Sequence, residues 1–436
     1  MRQTERRGMG PLSDGATVVI VGGGPGGAAC AIVLSHYGRR LGRALKIVIY
    51  EGKTFTGEMH YNQCVGVLSP PIVQILEKGL GVPFPWSLVQ RRIVGYVLHG
   101  ESQSLELIEE EEEPSYALRR VEFDAFLLEQ AWLAGAEVQH SRVTDLEFHA
   151  DRAIVYSESD CLEADVVVGA FGLDQGTASL FMRATPYRPP RFLDSIVTKA
   201  HPPPGYLPSG DAVIHAFLPA VPQIEFGAIT PKANHLTINI AGAGVDANWM
   251  DYFLGYKPAR AALAPLERGY QDNPKDWRYF KGRFPISLAR NFYGDRYVLI
   301  GDAAGLVRAF KGKGVNSAIL TGQWAAQAMM EVGISRRAFT MSYAQACREI
   351  MADLPYGRAF RRLAALGRRL NLIDPLLIVA AQDPALRRAL FDAVSGHRTY
   401  RTIAQAIDWP RLLVRLLARG PLLGRSRPAV SSTPIK

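Results

Sequence analysis

Residues 17–30 read T-V-V-I-V-G-G-G-P-G-G-A-A-C, and residues 46–51 read K-I-V-I-Y-E. The apolar run from Val18 to Val21 enters a glycine cluster in which Gly22, Gly24 and Gly27 stand in G-x-G-x-x-G register. A helix-like stretch starts at Ala28, and a second apolar run ends on Glu51. This order predicts a β–α–β unit that binds a dinucleotide. The first glycine permits the tight turn, the second lets the backbone approach a pyrophosphate, and the third lets the helix pack closely on the strand. Free N–H groups at the helix N-terminus face the phosphate charge. Glu51, at the end of the second strand, suits a ribose hydroxyl, from which it can accept a hydrogen bond. The connection exceeds the usual ~20 residues because H-Y-G-R-R-L-G-R-A-L-K extends the helix and its exit. By itself the motif does not separate FAD from NAD.

Outward from this unit, 436 residues are too many for one compact core and suggest two or three domains. Hydrophobic residues make up 48%, an ordinary globular share, and the formal charge of +9 is basic. That balance favours acidic partners, anionic cofactors or membrane surfaces and says nothing of fold. No aromatic-interleaved basic patch is present, so nucleic acid is not an expected partner. Cys30, Cys64, Cys161 and Cys347 form no C-x-x-C pair, which points away from a zinc site or disulfide framework and toward a reducing, cytoplasmic setting. The first fifteen residues are polar, without the apolar core of a signal peptide. No apolar run approaches the ~20 residues of a membrane span, so the expected membrane contact is peripheral.

Along the chain, residues 72–78 suggest a short helix after Pro70-Pro71, and residues 94–99 and 104–108 suggest strands. The five glutamates at 109–113 read as a solvated loop, because like charges repel. Residues 117–135 repeat apolar side chains at helical spacing and stop at Gly135. Two alternating strands follow, E-V-Q-H-S-R-V-T-D-L-E-F and A-I-V-Y-S, and then A-D-V-V-V-G-A-F-G reads as a buried parallel strand. Between about 181 and 285, strand-like runs at 195–199, 212–218 and 224–229 and L-T-I-N-I-A-G imply a mostly antiparallel sheet with one wet face. R-Y-V-L-I-G-D-A-A-G then returns to parallel-strand character. After Ile319 the chain reads helical, and the last residues are rich in proline and serine, as a disordered tail would be.

Four stretches carry chemistry: the glycine motif with Glu51, R-V-E-F-D from Arg120 to Asp124, residues 165–172, and G-D-A-A-G from Gly301 with F-K-G-K-G-V-N-S-A after it. In this order they resemble FAD-dependent oxidoreductases built like aromatic hydroxylases. Within that group the chain is most similar to the geranylgeranyl reductase family, over roughly residues 16–330. The reductase likeness rests on C-V-G-V-L-S from Cys64 and on F-G-A-I-T-P-K, ending at Lys232. The resemblance implies an α/β fold: a Rossmann-like FAD-binding domain (16–80, 115–180, 290–345) and an inserted, mostly antiparallel substrate domain (81–114, 181–289). A C-terminal helical region (346–420) and a tail (421–436) complete it. It implies that Gly22, Gly24, Gly27, Glu51 and Arg120 hold the ADP half of FAD, and that Asp302 meets its ribityl or pyrophosphate region. Gly312, Gly314, Val315 and Asn316 would lie by the isoalloxazine ring. There a helix N-terminus stabilises the negative charge of reduced flavin. For Asp302 and Asn316 a helix-start role is the competing reading, and for Arg120 a surface charge. Asp124 reads as a structural tie.

The implied reaction reduces C=C bonds of an apolar isoprenoid lipid, with Cys64 and Lys232 as candidate catalytic residues. A buried structural cysteine and a solvated lysine are the plainer readings of those two. Where the family continues Gly169-Ala170 with Asp-Gly, this chain has Phe171-Gly172, and Ala309 and Lys313 replace its usual proline and glutamate. The first change weakens the case for direct NADPH use, so the electron donor stays open between NADPH and a ferredoxin. Arg411, Arg415 and Arg419 beside Leu412–Leu417 fit either a membrane-surface helix or an ordinary packed one. The rival functions are a flavin monooxygenase acting on a secondary metabolite and a non-catalytic flavin-binding protein. The W-x-W-x-I-P signature of flavin halogenases is absent.

Overall fold

A computed structural model describes residues 8–54, 64–109, 112–203, 205, 207, 210–267, 277–308 and 314–419. The strand Thr17–Val21 is buried along its whole length near the middle of a six-stranded sheet. Val18 pairs in parallel with Ile47 on one side and Val166 on the other. The order across the sheet is Tyr293–Gly294, Tyr297–Leu299, Val166–Gly169, Thr17–Val21, Lys46–Tyr50 and Glu137–Gln139. Strands covered on both faces need apolar side chains at successive positions, which is why V-V-I-V and V-V-V-G show no alternation.

Helix Pro25–Leu41 opens on proline, whose missing N–H a first turn does not use, and ends with Arg39 and Arg40 near its negative end. It lies directly on helix Val315–Glu331. A Cβ added to Gly322 would fall 2.2 Å from the Gly26 carbonyl oxygen, so the two backbones touch.

A nine-stranded sheet forms the second layer. Its strands are Phe280–Pro285, Phe192–Ala200, Leu236–Gly242, Phe226–Pro231, Ala212–Phe217, Val89–His99, Ser115–Leu118 and Val67–Leu68, with Ser104–Ile108 also paired to Val89–His99. Every pairing is antiparallel except Ala212–Phe217 with Val89–His99. The meander Val143–Phe148, Ala153–Ser157, Cys161–Ala164 is a separate small sheet.

Four sequence expectations need correction. The second sheet has no wet face at its centre: Leu236–Gly242 is buried at every residue. Helices Ala247–Gly255 and Lys257–Glu267 cover one side through Phe253 and Leu263, and the other side faces a cavity and the C-terminal helices. The helix expected from Ala117 starts at Arg120, because residues 115–118 are a strand whose Leu118 N–H donates to the Gly66 carbonyl. The run E-V-Q-H-S-R-V-T-D-L-E-F is two strands in two sheets, parted between Gln139 and Val143. Two described residues of the glutamate run are docked: Arg388 forms ion pairs with Glu109 and Glu112, supplying a positive charge that the run lacks by itself. Beyond Val315 the described chain is helical, as expected. Helices Ile373–Ala381 and Pro384–Ser395 pack Leu377, Phe391 and Val394 against Tyr96, Leu107 and Ile214 of the second sheet.

Candidate functional site

Between the two large sheets lies a cavity of about 1970 Å³. Sites for one small ligand hold about 300–1,000 Å³, so this volume suits a large cofactor together with a second molecule.

The glycine turn forms one end. Gly22 has φ 109°, and a Cβ there would sit 2.5 Å from the Ala170 carbonyl oxygen, so only glycine makes this turn without strain. Gly24 caps helix Pro25–Leu41 and lines the cavity, with no atom within 4 Å of where its Cβ would be. Backbone at that point is open to a ligand. Gly27 instead packs under the turn, its hypothetical Cβ 2.0 Å from the Gly22 carbonyl oxygen. Glu51 is buried and lines the groove. Its Oε2 accepts from Gly23 N–H at 2.8 Å and its Oε1 from Lys53 N–H at 2.9 Å, so the carboxylate shapes the glycine turn as well as facing the cavity.

Arg120 enters from the start of its helix. Its Nε donates to Asp124 Oδ1 at 2.6 Å, one helical turn on, and its Nη1 lies 4.0 Å from Cys64 Sγ. Burial works to lower its pKa, but Asp124, Cys64 and Asp302 outweigh that and hold the guanidinium charged. Asp302 sits in the first turn of helix Gly301–Ala304. Burial pushes its carboxyl up, and Arg120 opposes the shift. Its Oδ1 is buried and accepts no hydrogen bond from the described residues. Buried polar atoms are almost always paired, so this oxygen is placed for a donor that the described chain does not supply.

Gly314 and Val315 begin helix Val315–Glu331 against Asp302, and both line the cavity. Asn316 lines it too, but its amide donates to the Ser69 and Pro70 carbonyls at 2.9 and 3.3 Å and so ties down that loop. Gly312 lies outside the described residues, as do Ala309 and Lys313.

Cys64 is exposed on the cavity wall, its Sγ 3.4 Å from the Gly66 N–H. Lys232 is 2% exposed and is not among the residues lining the cavity. Its Nζ donates to the carbonyls of Gly66 at 2.7 Å and Leu118 at 2.9 Å. Burial lowers its pKa to about 7, with Cys64 opposing and Lys199 assisting. The lysine therefore pins the Cys64–Gly66 segment to the strand that leads into Arg120.

Sequence reasoning missed the far end. Val197, Ile214, Ala216, Phe226, Ala228 and Phe284 form an apolar roof. Alternation along F-G-A-I-T-P was the available signal, since Phe226, Ala228 and Thr230 must share one face. Asn239 pairs opposite Ala228, which puts its amide on that face as well. Thr230 Oγ1 and Asn239 Oδ1 are buried on the cavity lining without a hydrogen-bond partner among the described residues. The C-terminal segment closes this end with Val394, His397 and Thr399. It is held by Arg308, which donates to the Gly396 and Arg398 carbonyls and lies 4.6 Å from the Tyr400 ring centroid.

No family model matches the chain, and no curated protein does. Solved structures do. The chain is similar to a geranylgeranyl bacteriochlorophyll reductase-like protein from Thermoplasma acidophilum at 19% identity and a TM-score of 0.64, covering 93% of this chain and all of the other. It is similar to a flavoprotein/dehydrogenase from Cytophaga hutchinsonii at 17% identity and TM-score 0.64, covering 94% and 99%. It is also similar to a point mutant of the halogenase PltM, solved in complex with FAD, at 15% identity and TM-score 0.58, covering 94% and 92%. The fold is therefore the Rossmann-type fold of FAD-dependent flavoproteins, with a second sheet and a helical C-terminal region.

Proposed function

We propose that the protein is an FAD-dependent oxidoreductase that reduces C=C bonds of an isoprenoid-type lipid. The observation that carries this reading is one continuous cavity, running from a glycine turn open at Gly24 to an apolar roof at Ile214, Phe226 and Phe284. The residues fit the cofactor. Gly24 and the N-terminus of helix Pro25–Leu41 offer N–H groups to its diphosphate, while the Gly22 N–H is spent on the Tyr50 carbonyl and shapes the turn; Glu51 suits ribose hydroxyls, and Arg120 adds a fixed positive charge. The buried Oδ1 of Asp302, without a partner among the described residues, fits a hydroxyl of the ribityl chain. Bound FAD would supply the hydride chemistry, with electrons from NADPH or a ferredoxin.

The chain's own residues do the rest. The N-terminus of helix Val315–Glu331 favours negative charge beside it. The roof excludes water and aligns an apolar chain. The Cys64 thiol stands on the wall as the group placed to give a proton, and Lys232 holds the segment that carries it. Purified protein should contain FAD and, once reduced anaerobically, should saturate a prenyl chain. A colourless protein that takes up no FAD sinks the reading.

One observation favours a second reading, oxygen-dependent monooxygenation of a metabolite. Thr230 and Asn239 offer polar groups on the roof, unpaired among the described residues, to a hydroxyl or carbonyl. Turnover that strictly requires oxygen would decide for it.

A further inference from the structure

We infer that the C-terminal helices form a docking face for a membrane surface rich in anionic lipid. Helix Arg348–Arg369 leaves Leu363 and Leu366 about half exposed, at 47% and 51%, and Leu370 follows at 55%. Helix Trp409–Arg419 leaves Leu413, Val414 and Leu417 at 58%, 66% and 63%. Its inward face is already satisfied, since Leu412 and Leu416 pack with the core under helix Ile373–Ala381. The exposed leucines are a second apolar face of an already docked helix. Phe360 and Trp409 join the two helices, their ring centroids 6.2 Å apart, and Leu363 lies one turn on from Phe360. The two apolar stripes therefore neighbour each other.

Charge identifies the occupant. Residues 348–419 contain thirteen arginines, no lysine and six acidic residues, a balance of +7 out of the chain's +9. Arg362, Arg369 and Arg411 are exposed and form no ion pair among the described residues, whereas Arg361 and Arg415 pair with Glu225 and Asp383. On the first helix, Arg362 and Arg369 lie two turns apart, in a row beside Leu363, Leu366 and Leu370. An apolar stripe bordered by free cations matches the boundary between acyl chains and anionic headgroups. A second copy of the chain would bring the unpaired arginines of two such faces together, which headgroups would neutralise instead. No helix among the described residues is long and apolar enough to cross a membrane, so the contact is superficial. The same helical region lines the far end of the cavity through Val394, His397 and Thr399, so docking would hold that end toward the bilayer. The inference rests on the surface alone and holds whichever substrate the cavity takes.

The test is co-sedimentation of the flavin-loaded full chain with vesicles. Phosphatidylcholine alone is compared with phosphatidylcholine and phosphatidylglycerol in equal parts. The protein should sediment with the mixed vesicles and be released at about 1 M salt, where the Debye length is about 3 Å. Leu413→Glu with Leu417→Glu should weaken partitioning at least about tenfold, since it removes buried apolar area. Arg362→Glu with Arg369→Glu should weaken it at least about thirtyfold. All four side chains are exposed, so flavin content and melting temperature should stay unchanged. Failure to sediment, equal binding to neutral vesicles, or binding that survives both double variants would overturn the inference. So would a concentration-dependent dimer that the leucine variant dissolves, because a second copy would then own the face.

Discussion

Replacing Lys232 by methionine should alter stability in opposite senses at low and high pH. Burial holds the folded-state pKa of Lys232 at about 7, against 10.5 ordinarily. At about 1.4 kcal/mol per pH unit, that gap corresponds to about 5 kcal/mol. Below pH 7 folded and unfolded chains both hold the proton, and the folded chain bears the cost of a buried ammonium. Between pH 7 and 10.5 the unfolded chain holds a proton that the folded one has lost, so raising pH favours the fold; above 10.5 the effect is complete. The neutral amine still donates to the Gly66 and Leu118 carbonyls. Methionine keeps the stem but neither donor. Gly66 retains the Leu118 N–H as a partner, so the loss should be about 1–3 kcal/mol in total. At pH 6 the variant should therefore be more stable than the parent by about 2–4 kcal/mol, and at pH 10, where a little under about 1 kcal/mol of the linkage effect is still to come, less stable by up to about 2 kcal/mol. Urea midpoints of the flavin-loaded proteins, followed by tryptophan fluorescence at both pH values, read the difference directly. An equal deficit at both pH values would refute the reasoning, because it would mean that the ammonium is solvated.

Gly24→Val should fold with the melting temperature of the flavin-free parent and lose flavin, because its Cβ meets nothing within 4 Å and projects into the groove. Gly27→Ala should lose the fold itself, since that Cβ would lie 2.0 Å from a backbone oxygen. Flavin retained by the first variant would place the cofactor elsewhere. Arg120→Met should cost about 3–5 kcal/mol by leaving Asp124 buried without its cation, and adding Asp124→Leu should restore most of it in a double-mutant cycle. A lone Arg120→Met with no measurable effect would mean that the pair is not buried. Asn239→Leu should raise KM about tenfold for a substrate bearing a hydroxyl or carbonyl, with kcat unchanged and a matched hydrocarbon unaffected. Equal loss for both substrates would mean that Asn239 serves packing.

The glycine turn was legible because its constraints are local. Gly22 needs a positive φ and Gly27 a missing Cβ, and both demands appear as letters in a fixed register. Val18 to Val21 announces a strand covered on both faces. The G-D-A-A-G return likewise shows in one stretch. Lys232 was less legible. A lysine after a strand reads as solvated, and only the approach of Gly66 and Leu118 makes it a buried pin. Glu109 and Glu112 were misread for the same reason: Arg388, which pairs with both, lies in a distant helix. Asn316 was placed at the right helix start, yet its donor serves the Ser69–Pro70 loop.

The sequence by itself determined the dinucleotide-type turn, the return of the chain to its first sheet and the helical character of the C-terminal part. Each follows from short-range backbone geometry or from the period of apolar residues. Only the tertiary structure decided that the centre of the second sheet is buried on both sides, that Thr230 and Asn239 face one cavity, and that C-terminal helices close its far end. Those features depend on which faces meet across long separations in the chain. Burial, unpaired hydrogen bonds and shifted pKa values are properties of such meetings and not of any one stretch.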